Sequence, residues 1–211
     1  MSKLGLPLRR PLAKAVLCVA LLGSLQGCIG IMLGGAAMGA VATADRRTLG
    51  AQTEDKAIGV KAEMRLNKLT DENGHVNAAS YNRKVLLTGE VKDEAMKAAA
   101  EREVRAIQNV QEVINELEIA GPSSYTSRSS DALVTTKVKA SLVDMKTISA
   151  VSFKVVTERG TVFLLGRVTQ REGQLGADIA KGVAGVQRVV KIFEYISDEE
   201  LRSMPGQSVQ L

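Results

Sequence analysis

The chain repeats itself, and the repeat limits the available folds more than any other feature. DKAIGVKAEMRL (55–66) returns as DALVTTKVKASL (131–142). KVLLTGEV (84–91) returns as TVFLLGRV (161–168), and NVQEVINELEI (109–119) as GVQRVVKIFEY (185–195). The offsets are 76, 77 and 76 positions, so both copies share one order of elements with a one-residue adjustment between Val91 and Val110. Repetition at a fixed period defines an architecture before any local reading does. Two copies are too few for a solenoid and suit two small tandem domains. Between them AGPSSYTSRSS (120–130) is rich in turn formers and reads as a linker.

Each copy reads as helix, strand, strand, helix, strand. Ile58, Ala62, Leu66 and Leu69 share one helical face in the first copy, and Val134, Val138, Leu142 and Met145 in the second. Val76–Tyr81 and Val151–Thr157 follow as strands, with turns at Asn82-Arg83 and Glu158-Arg159-Gly160. Lys84–Val91 and Thr161–Val168 are apolar, β-branched runs and read as strands. Asp93–Gln108 carries Met96, Ala100, Val104 and Ile107 at helical spacing. Its counterpart, Ala177–Ala184, is weakened by Gly173, Gly176, Gly182 and Gly185. Glu112–Ile119 and Arg188–Ile196 close each unit as strands. The expected class is α+β, each copy a three-stranded sheet with an apolar face covered by two helices. A unit of about 75 residues has only a modest core.

The N-terminal segment has a different grammar. Residues 1–14 are basic, 15–25 are apolar, and small or polar residues follow, which is the layout of a secretory signal. Leu25-Gln26-Gly27 then precedes Cys28 and resembles the bacterial lipobox, with Gln26 standing where Ala or Ser is usual. A thiol accepts the diacylglyceryl group, a small residue before it admits the peptidase, and the freed amine is then acylated. Cys18 leaves with the signal, so the mature chain has neither free thiol nor disulfide, which suits an oxidising periplasm. Ala15 to Ala44 also runs 30 residues without a charge and contains Gly30-x-x-x-Gly34 and Gly35-x-x-x-Gly39. That would allow a spanning helix. The short apolar run and the cysteine placed just past it favour the lipoprotein. Residues 29–44 then form a Gly/Ala-rich tether, and Ile29 after the cysteine, rather than Asp, implies export to the outer membrane.

The duplicated motif Val85-x-Leu87-x-Gly89-x-Val91, echoed at Val162-x-Leu164-x-Gly166-x-Val168, together with the later Val-x-x-Val turn into a strand, resembles tandem BON domains. Behind a lipobox the pattern resembles the dual-BON outer-membrane lipoproteins, the division- and outer-membrane-stress-associated lipid-binding family. The resemblance covers residues 46–197. It implies a signal peptide (1–27), an acylated Cys28 with its tether (28–45), BON domain 1 (46–121), a linker (122–127), BON domain 2 (128–197) and a disordered tail (198–211). It implies a periplasm-facing, non-enzymatic protein that binds anionic phospholipid through its second domain and supports envelope integrity. Outer-membrane assembly or cell-division envelope proteins are the expected protein partners. The alternative is a non-enzymatic scaffold whose domains bind an outer-membrane protein or the cell wall.

The residues themselves carry part of that reading. Residues 46–122 are nearly charge-balanced, whereas residues 123–197 carry a balance of +5. On a helix over Asp131–Thr147, Leu133, Thr136, Lys137, Ala140 and Val143 fall opposite the core face, with Lys139 and Lys146 at its flank. Apolar side chains beside lysines are what a membrane-surface helix requires. The first copy also exposes Val60 and Met64 opposite its core face, so both patches could instead pack the domains together. Gly89 and Gly166 read as glycines required by backbone geometry. No catalytic residue is expected and no metal: His75 is the only histidine and no thiol accompanies it. Phosphate-loop and zinc-protease motifs are absent. The only cofactor expected is covalent, the diacylglycerol and N-acyl chain on Cys28. Secretion and only six aromatic residues argue against nucleic acid.

Overall fold

The structure, a computed structural model, describes residues 45–70 and 74–204. The signal sequence, Cys28, the tether as far as Ala44 and the chain beyond Met204 lie outside the described residues. Domain 1 comprises α1 (Leu49–Thr70), β1 (His75–Tyr81), β2 (Lys84–Val91), α2 (Glu94–Arg105), β3 (Glu112–Asn115) and β4 (Glu118–Ile119). Domain 2 comprises α3 (Tyr125–Asp144), a 3-10 turn (Ala150–Ser152), β5 (Phe153–Glu158), β6 (Thr161–Val168), α4 (Gln170–Lys181) and β7 (Arg188–Tyr195). A short α5 (Asp198–Ser203) follows.

Each sheet has one hairpin and one crossover. β1 runs antiparallel to β2, with Val76 opposite Gly89. β3 and β4 both run parallel to β2 in one register, Leu87 opposite Asn115 and Val91 opposite Ile119. In domain 2, β5 is antiparallel to β6 and β7 is parallel to it. A parallel return needs a crossover, which α2 and α4 supply. The hairpin turns place Asn82, Arg83, Arg159 and Gly160 at positive φ, as a two-residue turn matched to strand twist demands. A buried carboxylate on the preceding helix holds each turn. Asp55 accepts from the amides of Asn82 (2.6 Å) and Arg83 (2.8 Å), and Asp131 from those of Arg159 and Gly160 (both 2.9 Å).

Three hydrophobic clusters result. Ile58, Ala62, Leu66, Val85, Leu87, Val91, Ala100 and Val104 fill the helix-facing side of sheet 1. Val134, Val138, Leu142, Phe153, Val162, Leu164, Val168 and Ala180 do so for sheet 2. The third cluster was not expected: Tyr81, Leu86, Phe163 and Leu165 pack the free face of one sheet onto the free face of the other. The domains therefore stack as helices, sheet, sheet, helices. All three clusters are built from residues between Ile58 and Phe193, inside the compact unit Thr43–Leu211, so the core they form draws on no residue of 1–42.

Several boundaries differ from expectation for local reasons. α3 begins at Tyr125 because the Ser124 hydroxyl caps it by accepting from the Ser127 amide, so the second half of the expected linker 122–127 is helix. α4 begins seven residues before Ala177, because Thr169 and Glu172 form a reciprocal capping box. Gly173 and Gly176 thus lie inside the helix. Met145 ends α3 and is exposed; Ile148 fills that part of the core instead. Disorder across 198–211 does not hold for its first part. Ser197 caps α5, Leu201 is buried, and Arg167 pairs with Glu200 at 2.6 Å.

The segment before α1 crosses to domain 2. Arg46 reaches the carboxylate of Glu172 with both terminal nitrogens at 2.7 Å, and its side chain is almost wholly buried. A bidentate guanidinium–carboxylate pair is the strong form of this contact. Burial pushes the Glu172 carboxyl up, but the Arg46 bonds and the Thr169 amide outweigh it and hold it below its usual range.

Candidate membrane-binding surface

α3 presents two faces of opposite character. Val134, Val138 and Leu142 are buried against sheet 2. Leu133, Thr136, Lys137, Lys139, Ala140 and Val143 all face solvent, as does Lys146 just past the helix. Leu133 is 63% exposed and Val143 68%. Lys137, Lys139 and Lys146 pair with no carboxylate among the described residues. The Thr136 hydroxyl donates back to the Ala132 carbonyl (2.9 Å). The structure thus brings all seven expected residues onto one helix and its exit.

An eighth member was missed. Tyr125, 83% exposed, opens α3 and lies on the same line along the helix as Thr136 and Val143, spaced by near-whole turns. Arg128 stacks over its ring at 4.5 Å. Reading 122–127 as linker hid it; the Ser124-x-x-Ser127 cap was the available signal. Val60 and Met64 on α1 are likewise exposed. Neither patch packs one domain on the other, since the sheets make that contact.

The seam between the domains holds a second cluster of ionisable groups. Glu90 is fully buried; it accepts from the Ser123 amide at 3.0 Å, and Arg159 stands 3.8 Å from its other oxygen. Glu158 accepts from the Asn77 amide group at 3.0 Å. Burial pushes the Glu158 carboxyl up; Asn77 opposes this, while Glu90 and Asp131 add repulsion. His75 lies in β1 beside Arg128 (3.4 Å). Burial first, and the Arg128 cation second, lower its affinity for a proton. Among the described residues no group of His, Cys, Asp and Glu is arranged to hold a metal, and no helix is long and apolar enough to cross a membrane.

Two α-β-β-α-β units in one chain, joined sheet to sheet, define a tandem repeat of one α+β domain. The BON domain family matches residues 55–121 and 130–196, and the chain belongs to that family. It is 37% identical to the outer membrane lipoprotein DolP of Haemophilus influenzae, over 88% of this chain and 97% of that one. It is 29% identical to a 21 kDa hemolysin of Actinobacillus pleuropneumoniae, over 72% of this chain and 79% of that one. Likeness to the lipoprotein across nearly both full lengths assigns this chain to the outer membrane. Among solved structures, CdsD, a structural protein of the type III secretion system of Chlamydia trachomatis, aligns at 11% identity and a TM-score of 0.30, covering 66% of this chain and 95% of that one. That likeness is too slight to bear on function.

Proposed function

We propose that the protein is held at the periplasmic face of the outer membrane by acyl chains on Cys28 and binds anionic phospholipid through α3, supporting envelope integrity without catalysing a reaction. The Cys28 thiol would lose its proton and take a diacylglyceryl group from a phospholipid as a thioether, the glyceryl carbon–oxygen bond breaking and the phosphate headgroup leaving. Hydrolysis of the Gly27–Cys28 bond then frees an amine, which takes an acyl chain from a phospholipid ester as an amide, a lysophospholipid leaving. One chain gives only marginal binding, and several make the anchor stable. The observation that carries the reading is α3 itself: Leu133 and Val143 stand exposed beside lysines that pair with no carboxylate among the described residues. Each lysine near an anionic surface contributes roughly 1 kcal/mol, screened by salt. Outer-membrane assembly or cell-division envelope proteins remain the protein partners this reading implies.

Two experiments test it. The unit Thr43–Leu211 should float with vesicles of phosphatidylglycerol in phosphatidylcholine at low salt. Flotation should be lost when Lys137 and Lys146 are both changed to Glu and be kept when Lys61 is. If the unit does not float, the lipid reading gives way to a scaffold that binds an outer-membrane protein or the cell wall. For the anchor, the full chain should incorporate labelled palmitate, and Cys28→Ala should not.

A further inference from the structure

An open groove of about 660 Å³ runs between α1 of domain 1 and α3 with β5 of domain 2. Its lining is basic. Arg47, Lys56, Lys139 and Lys154 are the cations, Asp55 and Glu63 the acids. Asp55 is fully engaged: besides the Asn82 and Arg83 amides it accepts from the Ser80 hydroxyl (2.7 Å) and from Arg47 (2.8 Å). Arg47 is engaged in turn by Asp45 and Asp55. Lys56, Lys139 and Lys154 remain, against one exposed acid, Glu63, and none of the three lysines pairs with a carboxylate among the described residues.

Lys154 is the centre of the site. It is half-buried, and its Nζ donates to the Ser80 carbonyl at 2.9 Å, which uses one of three donors. Burial and then Arg47 lower its affinity for a proton; Asp55 opposes them and Lys139 adds to them. A half-buried ammonium among like charges, with donors to spare, is costly until a counter-charge arrives. Val60 and Val151 line the same groove and are exposed, so it offers both charge and apolar surface.

We propose that this groove binds a phosphate-bearing anion between Lys154, Lys139 and Lys56, with Val60 and Val151 supporting the rest of the molecule when the phosphate belongs to a lipid headgroup. The site belongs to neither domain alone, since Lys56 comes from α1 and Lys139 and Lys154 from domain 2. It shares only Lys139 with the outer face of α3 and stands independently of the membrane-surface reading.

Amide chemical shifts of the unit Thr43–Leu211 test it. The probes are inorganic phosphate, dihexanoyl phosphatidylglycerol below its micelle-forming concentration, and dihexanoyl phosphatidylcholine. Saturable shifts at Ser80, Lys154, Gly59 and Val60 are expected with phosphate, with phosphatidylglycerol or with both. Phosphate alone would identify a free anion as the ligand, and phosphatidylglycerol alone a headgroup. Lys154→Gln should weaken binding about tenfold, the scale of one charge-assisted contact. Lys56→Gln, at an exposed position with no part in the core, should weaken it about threefold. The site is refuted if neither anion gives saturable shifts, if phosphatidylcholine binds as well as phosphatidylglycerol, if shifts are confined to Leu133, Thr136, Lys137 and Val143, or if both variants bind like the parent. Flotation through Lys137 and Lys146 is untouched by either variant, so failure here and failure of the membrane-surface reading are separable.

Discussion

Domain 1 packs Val76, Leu117 and Ala100 where domain 2 packs Phe153, Phe193 and Gly176. The three exchanges compensate one another. Phe153 and Phe193 meet edge to face at 5.8 Å, and Tyr195 extends the row at 5.9 Å. Gly173 and Gly176 open α4 to these rings: a Cβ at Gly176 would lie 2.7 Å from the Phe153 ring and one at Gly173 3.0 Å from Phe193. Interiors are close-packed, so larger rings demand a smaller helix. The outer surfaces diverge too. Lys139 on α3 occupies the helical position held by Glu63 on α1, and Thr136 and Ala140 those of Val60 and Met64. One backbone plan was kept: Lys61 and Lys137 match, while the exposed charge changes sign between Glu63 and Lys139. A duplicated fold is therefore no evidence for a duplicated site.

The sharpest way to break this parallel is at the paired strand glycines. In each copy the first carbonyl of the neighbouring strand, or of the turn leading into it, closes over the glycine. A Cβ would lie 1.9 Å from the His75 oxygen at Gly89 and 2.4 Å from the Ser152 oxygen at Gly166. Only Gly89 also sits at positive φ, +113°. Gly89→Ala therefore adds backbone strain to a clash and should cost about 3 kcal/mol or more. Gly166→Ala, with the clash alone, should cost about 1–3 kcal/mol. Urea denaturation of the two variants gives the order, and equal losses would show that φ at Gly89 carries no strain.

A smaller effect tests compensation within domain 2. Gly176→Ala should destabilise by about 1–3 kcal/mol by displacing Phe153. In a Phe153→Val background, which reproduces the domain 1 pairing of Val76 with Ala100, the same change should cost clearly less. A double-mutant cycle should return a coupling near 1 kcal/mol. Additivity would mean that the ring is free to move and that Gly176 serves some other purpose.

Much of this was legible in the repeat. Periodicity located the buried faces of α1 and α3, and the aligned Val-x-Leu-x-Gly-x-Val runs located the central strands. Other features were present but misread. Leu86-Leu87 and Phe163-Leu164-Leu165 are continuous apolar runs, which mark a strand buried on both faces; reading one apolar face per sheet missed the sheet-to-sheet contact. Asp55 and Asp131 recur at matching positions, and an acid kept at the start of two core helices pointed to a fixed partner in the hairpin turn. The glycines of α4 were read as weakening a helix, because propensity ranks residues without the rings they make room for. The rest was out of local reach. Arg46 meets Glu172 across 126 positions, and the groove joins Lys56 to Lys154 only after the sheets have stacked.

The least costly exchange between the copies lies at the seam, where domain 2 has Glu158 and domain 1 has Tyr81. Both are buried at the end of the hairpin's first strand. Tyr81 stays neutral there, its proton held more tightly by burial, and accepts from the Arg167 amide at 3.1 Å. Glu158 has a carboxyl whose folded value is raised, chiefly by burial. The folded state then binds that proton more tightly than the unfolded chain does. Stability from this group is present below the ordinary carboxylate range and is lost as pH rises through the raised value. Glu158→Gln keeps an acceptor for Asn77 and removes the charge. It should be more stable than the parent at neutral pH, and the advantage should vanish as pH falls through the carboxylate range. Glu172 titrates with the opposite sign, but it does so in parent and variant alike and cancels in the difference. Tyr81→Phe should shift stability by the same amount at both ends of that window. A Glu158→Gln protein less stable than the parent at neutral pH would mean that Asn77 and the nearby arginines more than offset the burial of the charge.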